Sequence, residues 1–168
     1  VSGVYDAGSL INKPTTTTNF SYDDDGAGSG SLSDNVIAES PTIDLSAAAT
    51  GGETEIYLDY SYDYNLGIAL SLEWYDADAT NWVLWEDMPD NSGTTNNWCS
   101  SIIFNTSSVL DASTFTVSQL AGFQYRFNYE ATGTWGWGMC IASPTVYSIA
   151  PPTCPQPNNL GAITPNST

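Results

Sequence analysis

Glu55-Ile56-Tyr57-Leu58-Asp59-Tyr60-Ser61-Tyr62-Asp63-Tyr64 is the stretch that decides the fold of this chain. Ile56, Leu58, Tyr60, Tyr62 and Tyr64 occupy every second position, with Glu55, Tyr57, Asp59, Ser61 and Asp63 between them. Side chains alternate across a strand, so a period of two puts the first set on a buried face and the second set on the opposite one. After Asn65-Leu66-Gly67 a second alternation begins, Ile68, Leu70, Leu72 and Trp74 against Ala69, Ser71, Glu73 and Tyr75, which reads as the hairpin partner. A shorter strand follows the Asp76-Ala77-Asp78 turn, with Trp82 and Leu84 read as inward and Val83 and Trp85 as outward.

The same period recurs on both sides. Upstream, Val36-Ile37-Ala38 followed by Ile43 and Leu45 reads as a short strand pair, preceded by the acidic, glycine-rich loop between Tyr22 and Asp34. Downstream, a polar loop over 87–97 leads to candidate strands at Ile102-Ile103-Phe104 and Phe115-Thr116-Val117. Phe123, Tyr125, Phe127 and Tyr129 then alternate with Gln124, Arg126, Asn128 and Glu130, and Trp135, Trp137, Met139 and Ile141 continue the pattern in a last long strand. Trp74, Trp82, Trp135 and Trp137 are assigned to the core. No stretch carries a 3.6-residue period, so the expectation is an all-β, antiparallel sandwich or barrel with essentially no helix. Residues 1–19 read as an irregular or edge segment, 20–149 as the β module, and 150–168 as a proline-rich linker that cannot continue a central strand.

Charge excludes whole classes of partner. Lys13 and Arg126 face nineteen acidic residues, for a formal net charge of −17. A phosphate backbone needs a basic stripe, so nucleic acid is excluded, and anionic membranes are disfavoured for the same reason. No apolar run approaches the ~18 residues of a membrane-spanning helix, and the first twenty residues lack a signal-peptide pattern, so a mature or excised secreted piece is expected. The chain has no histidine. That removes the commonest general base and every Ser-His or Cys-His arrangement, and non-catalytic binding is the expectation. Asp59, Asp63 and Glu73 are the strand carboxylates from which an acid–base pair could be drawn.

Clustered carboxylates in a glycine-permitted turn can converge on a hard cation, so Asp23, Asp24, Asp25 and Asp34 form the candidate calcium set. The Asp76, Asp78 and Asp87, Asp90 groups are weaker candidates of the same kind. Large aromatic rings on outer faces or loops can stack on sugars, which singles out Tyr57, Tyr75, Trp85 and Trp98 as candidate ligand-binding residues. Arg126 is expected to pair with a cross-strand carboxylate rather than with a ligand. Cys99 and Cys140 can form a bridge, and Cys154, beside the linker, more naturally pairs with a following segment. An oxidising, extracellular setting suits either outcome.

Asp23-Asp24-Asp25-Gly26-Ala27-Gly28, then Ala38-Glu39-Ser40-Pro41-Thr42-Ile43-Asp44-Leu45-Ser46, resemble the acidic loop and following strand of MAM-like jelly-roll modules of the cleaved-adhesin and "choice-of-anchor" types. Leu58-Asp59-Tyr60-Ser61-Tyr62, Leu120-Ala121-Gly122-Phe123-Gln124-Tyr125-Arg126-Phe127 and Trp135-Gly136-Trp137-Gly138-Met139-Cys140-Ile141 resemble that family's central and final strands, in the same order. The resemblance covers about residues 20–149 and implies a jelly-roll-like β-sandwich in a multidomain surface protein of Bacteroidetes-type bacteria. Pro151-Pro152-Thr153-Cys154-Pro155-Gln156-Pro157-Asn158-Asn159-Leu160 resembles the entry to a fibronectin type III domain. One departure is plain: Ala142 and Ser143 stand where the family carries an acidic pair. The resemblance therefore implies a secreted adhesion or spacer module whose partner is a glycan or a surface protein, with self-association through an exposed strand edge as a further mode. The alternative is a carbohydrate-binding module of a secreted hydrolase.

Overall fold

The computed structural model describes residues 19–24, 35–65, 69–90, 104–130 and 138–149. Eight strands are present: β1 Asn19–Asp23, β2 Asn35–Glu39, β3 Glu55–Asn65, β4 Ala69–Asp76, β5 Asn81–Met88, β6 Phe104–Asp111, β7 Tyr125–Glu130 and β8 Gly138–Ser148. They form two four-stranded sheets, β1-β8-β3-β6 and β2-β7-β4-β5, and every pairing is antiparallel. The first strand pairs with the last, the second with the next to last, the third with the sixth, and the fourth with the fifth. A long antiparallel ribbon rolled over itself gives this nesting, which is the jelly roll. The fold class expected from the sequence is the one observed.

The period-two face of β3 forms the core as expected. Ile56, Leu58, Tyr60, Tyr62 and Tyr64 are buried against Leu70, Leu72 and Trp74 of β4 and Tyr125, Phe127 and Tyr129 of β7, with Tyr22, Met139 and Ile141 closing the other end. Each such side chain contributes about 1.5–3 kcal/mol on burial. The rings meet edge to face, Tyr60 on Phe127 at 5.1 Å and Tyr64 on Tyr129 at 6.0 Å, the geometry that aromatic quadrupoles favour.

Two short helices, Ser46–Thr50 and Val117–Ala121, sit at strand connections. The second replaces the strand expected at Phe115-Thr116-Val117. Thr116 is its N-cap: its hydroxyl accepts from the Gln119 backbone N–H, and the Gln119 side chain accepts from the Thr116 N–H, a capping box that outweighs the β propensity of the three residues. Asp76 and Asp78, weak cation candidates in the sequence, are anchors of this corner. Asp76 Oδ1 accepts from Gln119 Nε2 at 2.8 Å and from the backbone N–H groups of Asp78 and Ala79, and the Thr116 hydroxyl donates to Asp78 at 2.7 Å. The Gln119 hydrogen bond, followed by those backbone N–H groups, holds the Asp76 carboxyl below the usual carboxylate range.

Across the open edge between the sheets, the Ser108 hydroxyl of β6 donates to Glu86 of β5 and accepts from Tyr60, tying the two layers together. Burial, first, pushes the Tyr60 hydroxyl up to about 12. A phenol whose folded pKa is raised contributes stability that is fully present below its unfolded value, near 10, and is lost as pH rises through the folded value. The expected result is a stable fold to about pH 10, with Tyr60 ionising only as stability is lost between there and pH 12. Ultraviolet titration run beside circular dichroism reads both events, and full tyrosine ionisation near pH 10 with the fold intact would contradict it.

Candidate functional site

The outer face of the β1-β8-β3-β6 sheet carries a cross-strand row of Tyr147, Tyr57 and Val109, followed by a row of Thr145, Asp59 and Ser107. Tyr57 and Tyr147 stack, with ring centroids 5.2 Å apart and planes within 12°. Tyr147 is 37% exposed and Val109 48%, so the row is an apolar strip open to solvent. Both tyrosine hydroxyls are steered by carboxylates: Tyr57 donates to Glu55 at 2.5 Å and Tyr147 to Asp59 at 3.3 Å. The Glu55 contact is also the main cause of the raised Tyr57 pKa.

Next to the strip the sheet is indented. Asp59 pairs with Thr145 and Ser61 with Ala142, so β8 places Ser143 and Pro144 opposite Tyr60 alone, a β-bulge. Ser143 takes φ 53°, unusual for a residue with a side chain, and its carbonyl accepts from the Thr145 hydroxyl at 3.3 Å. The indentation is an open depression of about 430 Å³ lined by Asp59, Tyr60, Ser61, Thr106, Ser107 and Ser143. A stacked aromatic pair therefore borders a hollow lined by hydroxyls and one carboxylate. Rings in this setting offer an apolar platform, while the hydroxyls and Asp59 offer donors and acceptors to a hydroxylated ligand.

Of the ligand-binding residues singled out from the sequence, Tyr57 alone is part of this arrangement. Tyr75 lies on the outer face of the other sheet, its ring 5.3 Å from that of Trp82. Trp85 corrects the sequence reading: it packs against the core, edge-on to Phe123 at 6.2 Å, and its Nε1–H has no partner among the described residues. Trp82 to Trp85 alternate without interruption, so the face assigned to Trp82 decides that of Trp85, and both are reversed. Beyond them Glu73 pairs with Leu84 and Leu72 with Glu86, which makes Trp85 the extra residue of a bulge. Trp82 is corrected in the opposite sense. It pairs with Tyr75 on the outer face, not in the core, and Arg126 lies 4.4 Å above its ring while the Arg126 Nε–H donates to Glu73 at 2.6 Å. The expected cross-strand pairing of Arg126 is thus observed. Trp98 lies outside the described residues, as do Trp135 and Trp137.

In the calcium set, Asp24 is buried and accepts from the Tyr129 hydroxyl at 3.1 Å. Asp23 ends β1 opposite Gly138, and Asp25 and Asp34 lie outside the described residues. No group of three or more Cys, Asp or Glu positioned for a metal ion occurs among the described residues. Cys140 is buried and disulfide-bonded, and its partner lies outside the described residues, where Cys99 and Cys154 also fall. Of the strand carboxylates, Glu73 sits on the other sheet and is committed to Arg126, while Asp59 and the buried Asp63 share the outer face of β3 four residues apart, about 13 Å along the strand. No helix among the described residues is long and apolar enough to cross a membrane.

Tyr147, the second half of the platform, is the residue that sequence reasoning missed. Ser143 and Pro144 were its only signal, a proline inside an alternating run being a mark of a bulge or a strand edge.

No family model matches the sequence. No curated protein matches it significantly. Among solved structures, one described as "CBM4 structure and function" is similar over 68% of this chain and 73% of its own, at 12% identity and a TM-score of 0.38. So distant a likeness carries no argument, and the fold stands on the strand pairing alone.

Proposed function

We propose that this chain is a non-catalytic carbohydrate-binding module, and that the outer face of the β1-β8-β3-β6 sheet is where it holds a glycan. The carrying observation is the stacked Tyr57–Tyr147 pair beside a hollow lined by Asp59, Ser61, Ser107 and Ser143. A pyranose ring has apolar C–H faces and a polar hydroxyl rim, and this face pairs an apolar platform with a polar rim in the same way. Glu73 on the other sheet and the spacing of about 13 Å along β3 between Asp59 and Asp63 support a binding role over glycoside hydrolysis, which needs two carboxyls facing one bond. We read the setting as extracellular, within a multidomain surface protein, and the module as MAM-like, on the resemblance of residues 20–149 and of the segment from Pro151; adhesion is then the use to which glycan binding is put.

Affinity electrophoresis through gels containing single soluble polysaccharides tests the reading. At least one neutral or acidic polysaccharide is expected to retard the protein. Covering one tyrosine face removes roughly 80 Å² from water, about 2 kcal/mol, so Tyr147→Ala is expected to weaken binding about thirtyfold. Tyr75→Ala, on the opposite face of the sandwich, is expected to leave it unchanged. Equal retardation of Tyr147→Ala and wild type would sink the assignment of this face.

A further inference from the structure

We infer that the hollow selects its ligand by charge, taking uncharged glycans and rejecting carboxylated or sulfated ones, and that Asp59 is the residue that sets this selection. The inference rests on the glycan-binding reading and adds the ligand class. Asp59 lines the hollow and also accepts from Tyr147, so its carboxylate stands where the platform meets the hollow. Glu55 and Asp111 face each other across β3 and β6 beyond the other end of the strip, exposed. Against these carboxylates no cation stands on this face among the described residues, because Arg126 lies on the outer face of the other sheet, bound to Glu73 and stacked on Trp82. A ligand carboxylate held in the hollow would sit within a few ångströms of Asp59. Like charges about 4 Å apart repel by about 1 kcal/mol even in bulk water, so the penalty is at least about fivefold in affinity. An uncharged hydroxyl instead donates to the same oxygens and gains a charge-assisted hydrogen bond.

The test uses matched pairs of one backbone, hydroxyethylcellulose with carboxymethylcellulose and the corresponding uncharged and carboxymethylated xylan, mannan and galactan. Binding is measured by calorimetry in chelator at physiological ionic strength, where the Debye length of about 8 Å screens the distant charges but not a contact. The expected result is that an uncharged member binds, that its carboxylated partner binds at least about fivefold more weakly, and that Asp59→Asn narrows this gap while Glu130→Gln, on the other sheet, does not. Asparagine can still accept from Tyr147, and melting of Asp59→Asn at the wild-type temperature checks that the fold is kept. Equal or tighter binding of the carboxylated member, or a gap unchanged in Asp59→Asn, would overturn the charge selection and leave the glycan reading standing. Failure of every member of every pair to bind would overturn the glycan reading, and the selection with it.

Discussion

Gly138→Ala is expected to destabilise the protein by at least about 3 kcal/mol, a large share of the roughly 5–15 kcal/mol that holds a domain folded. Gly138 opens β8 with φ +123°, a region that side chains rarely adopt, so alanine is strained there whatever space surrounds it. Space is absent as well. A Cβ would stand 2.0 Å from the Tyr22 carbonyl oxygen and 2.9 Å from its carbon, and both are backbone atoms of β1 that cannot rotate away. Gly138 pairs with Asp23 on one side and Asn65 on the other, so the clash falls where the first, last and third strands are joined. Gly51→Ala is the control. Gly51 closes the first short helix at φ −75°, and its Cβ would meet the Ala48 carbonyl oxygen at 3.3 Å, a close approach without a clash, so alanine there is expected to change stability by no more than about 1 kcal/mol. Urea unfolding of both variants reads the contrast, and a Gly138→Ala midpoint equal to that of Gly51→Ala would contradict it.

Tyr129→Ala is the second substitution with a large expected effect, about 3–5 kcal/mol. Tyr129 is fully buried between Tyr22, at 5.5 Å, and Tyr64, at 6.0 Å, so truncation opens a cavity where both sheets meet. Its hydroxyl donates to the buried Asp24 carboxylate. Burial, and then that carboxylate, push the Tyr129 hydroxyl well above the ordinary phenol range. Tyr129→Phe keeps the ring and removes the donor, and its expected cost of about 1.5–3 kcal/mol is that of a hydrogen bond to a charged group. Denaturant unfolding of the pair separates the two contributions. A Phe variant as stable as wild type would show that the hydroxyl contributes nothing to holding Asp24.

The buried faces of the strands were legible in the sequence because burial on one face imposes strict alternation, and Ile56 to Tyr64 and Phe123 to Tyr129 keep it without interruption. The pairing of the strands was not: Ala69–Asp76, read as the hairpin partner of Glu55–Asn65, lies in the other sheet. The errors of facing lie where a bulge breaks the count. Counted back from the buried Met88 the alternation puts Trp82 and Leu84 inward, but Trp85, the extra residue between Leu84 and Glu86, reverses the phase, so Trp82 and Leu84 face out and Val83 and Trp85 pack on the core. Ser143 and Pro144 do the same to β8: counting from Met139 and Ile141 makes residue 147 inward, whereas the bulge turns Val146 toward the core and Tyr147 outward. Half of the proposed platform was hidden by that one inserted residue. The hollow was hidden by the same cause, since an indentation produced by a bulge has no composition of its own. Tyr57 was found because it stands on the uninterrupted strand. The Thr116 cap was present as Thr-x-x-Gln, but three β-prone residues read as a strand until the partners of the cap were seen.

The central claim is that a glycan sits on the β3–β8 face, and an amide-resolved NMR titration with the polysaccharide that retards the protein most strongly tests it directly. The account predicts that the shifted amides are those of Tyr57, Asp59, Ser61, Ser107, Val109, Ser143 and Tyr147, with those of Glu73, Trp82 and Arg126 unmoved. Shifts confined to the Trp82–Arg126 face, with the Tyr57–Tyr147 platform silent, would contradict it.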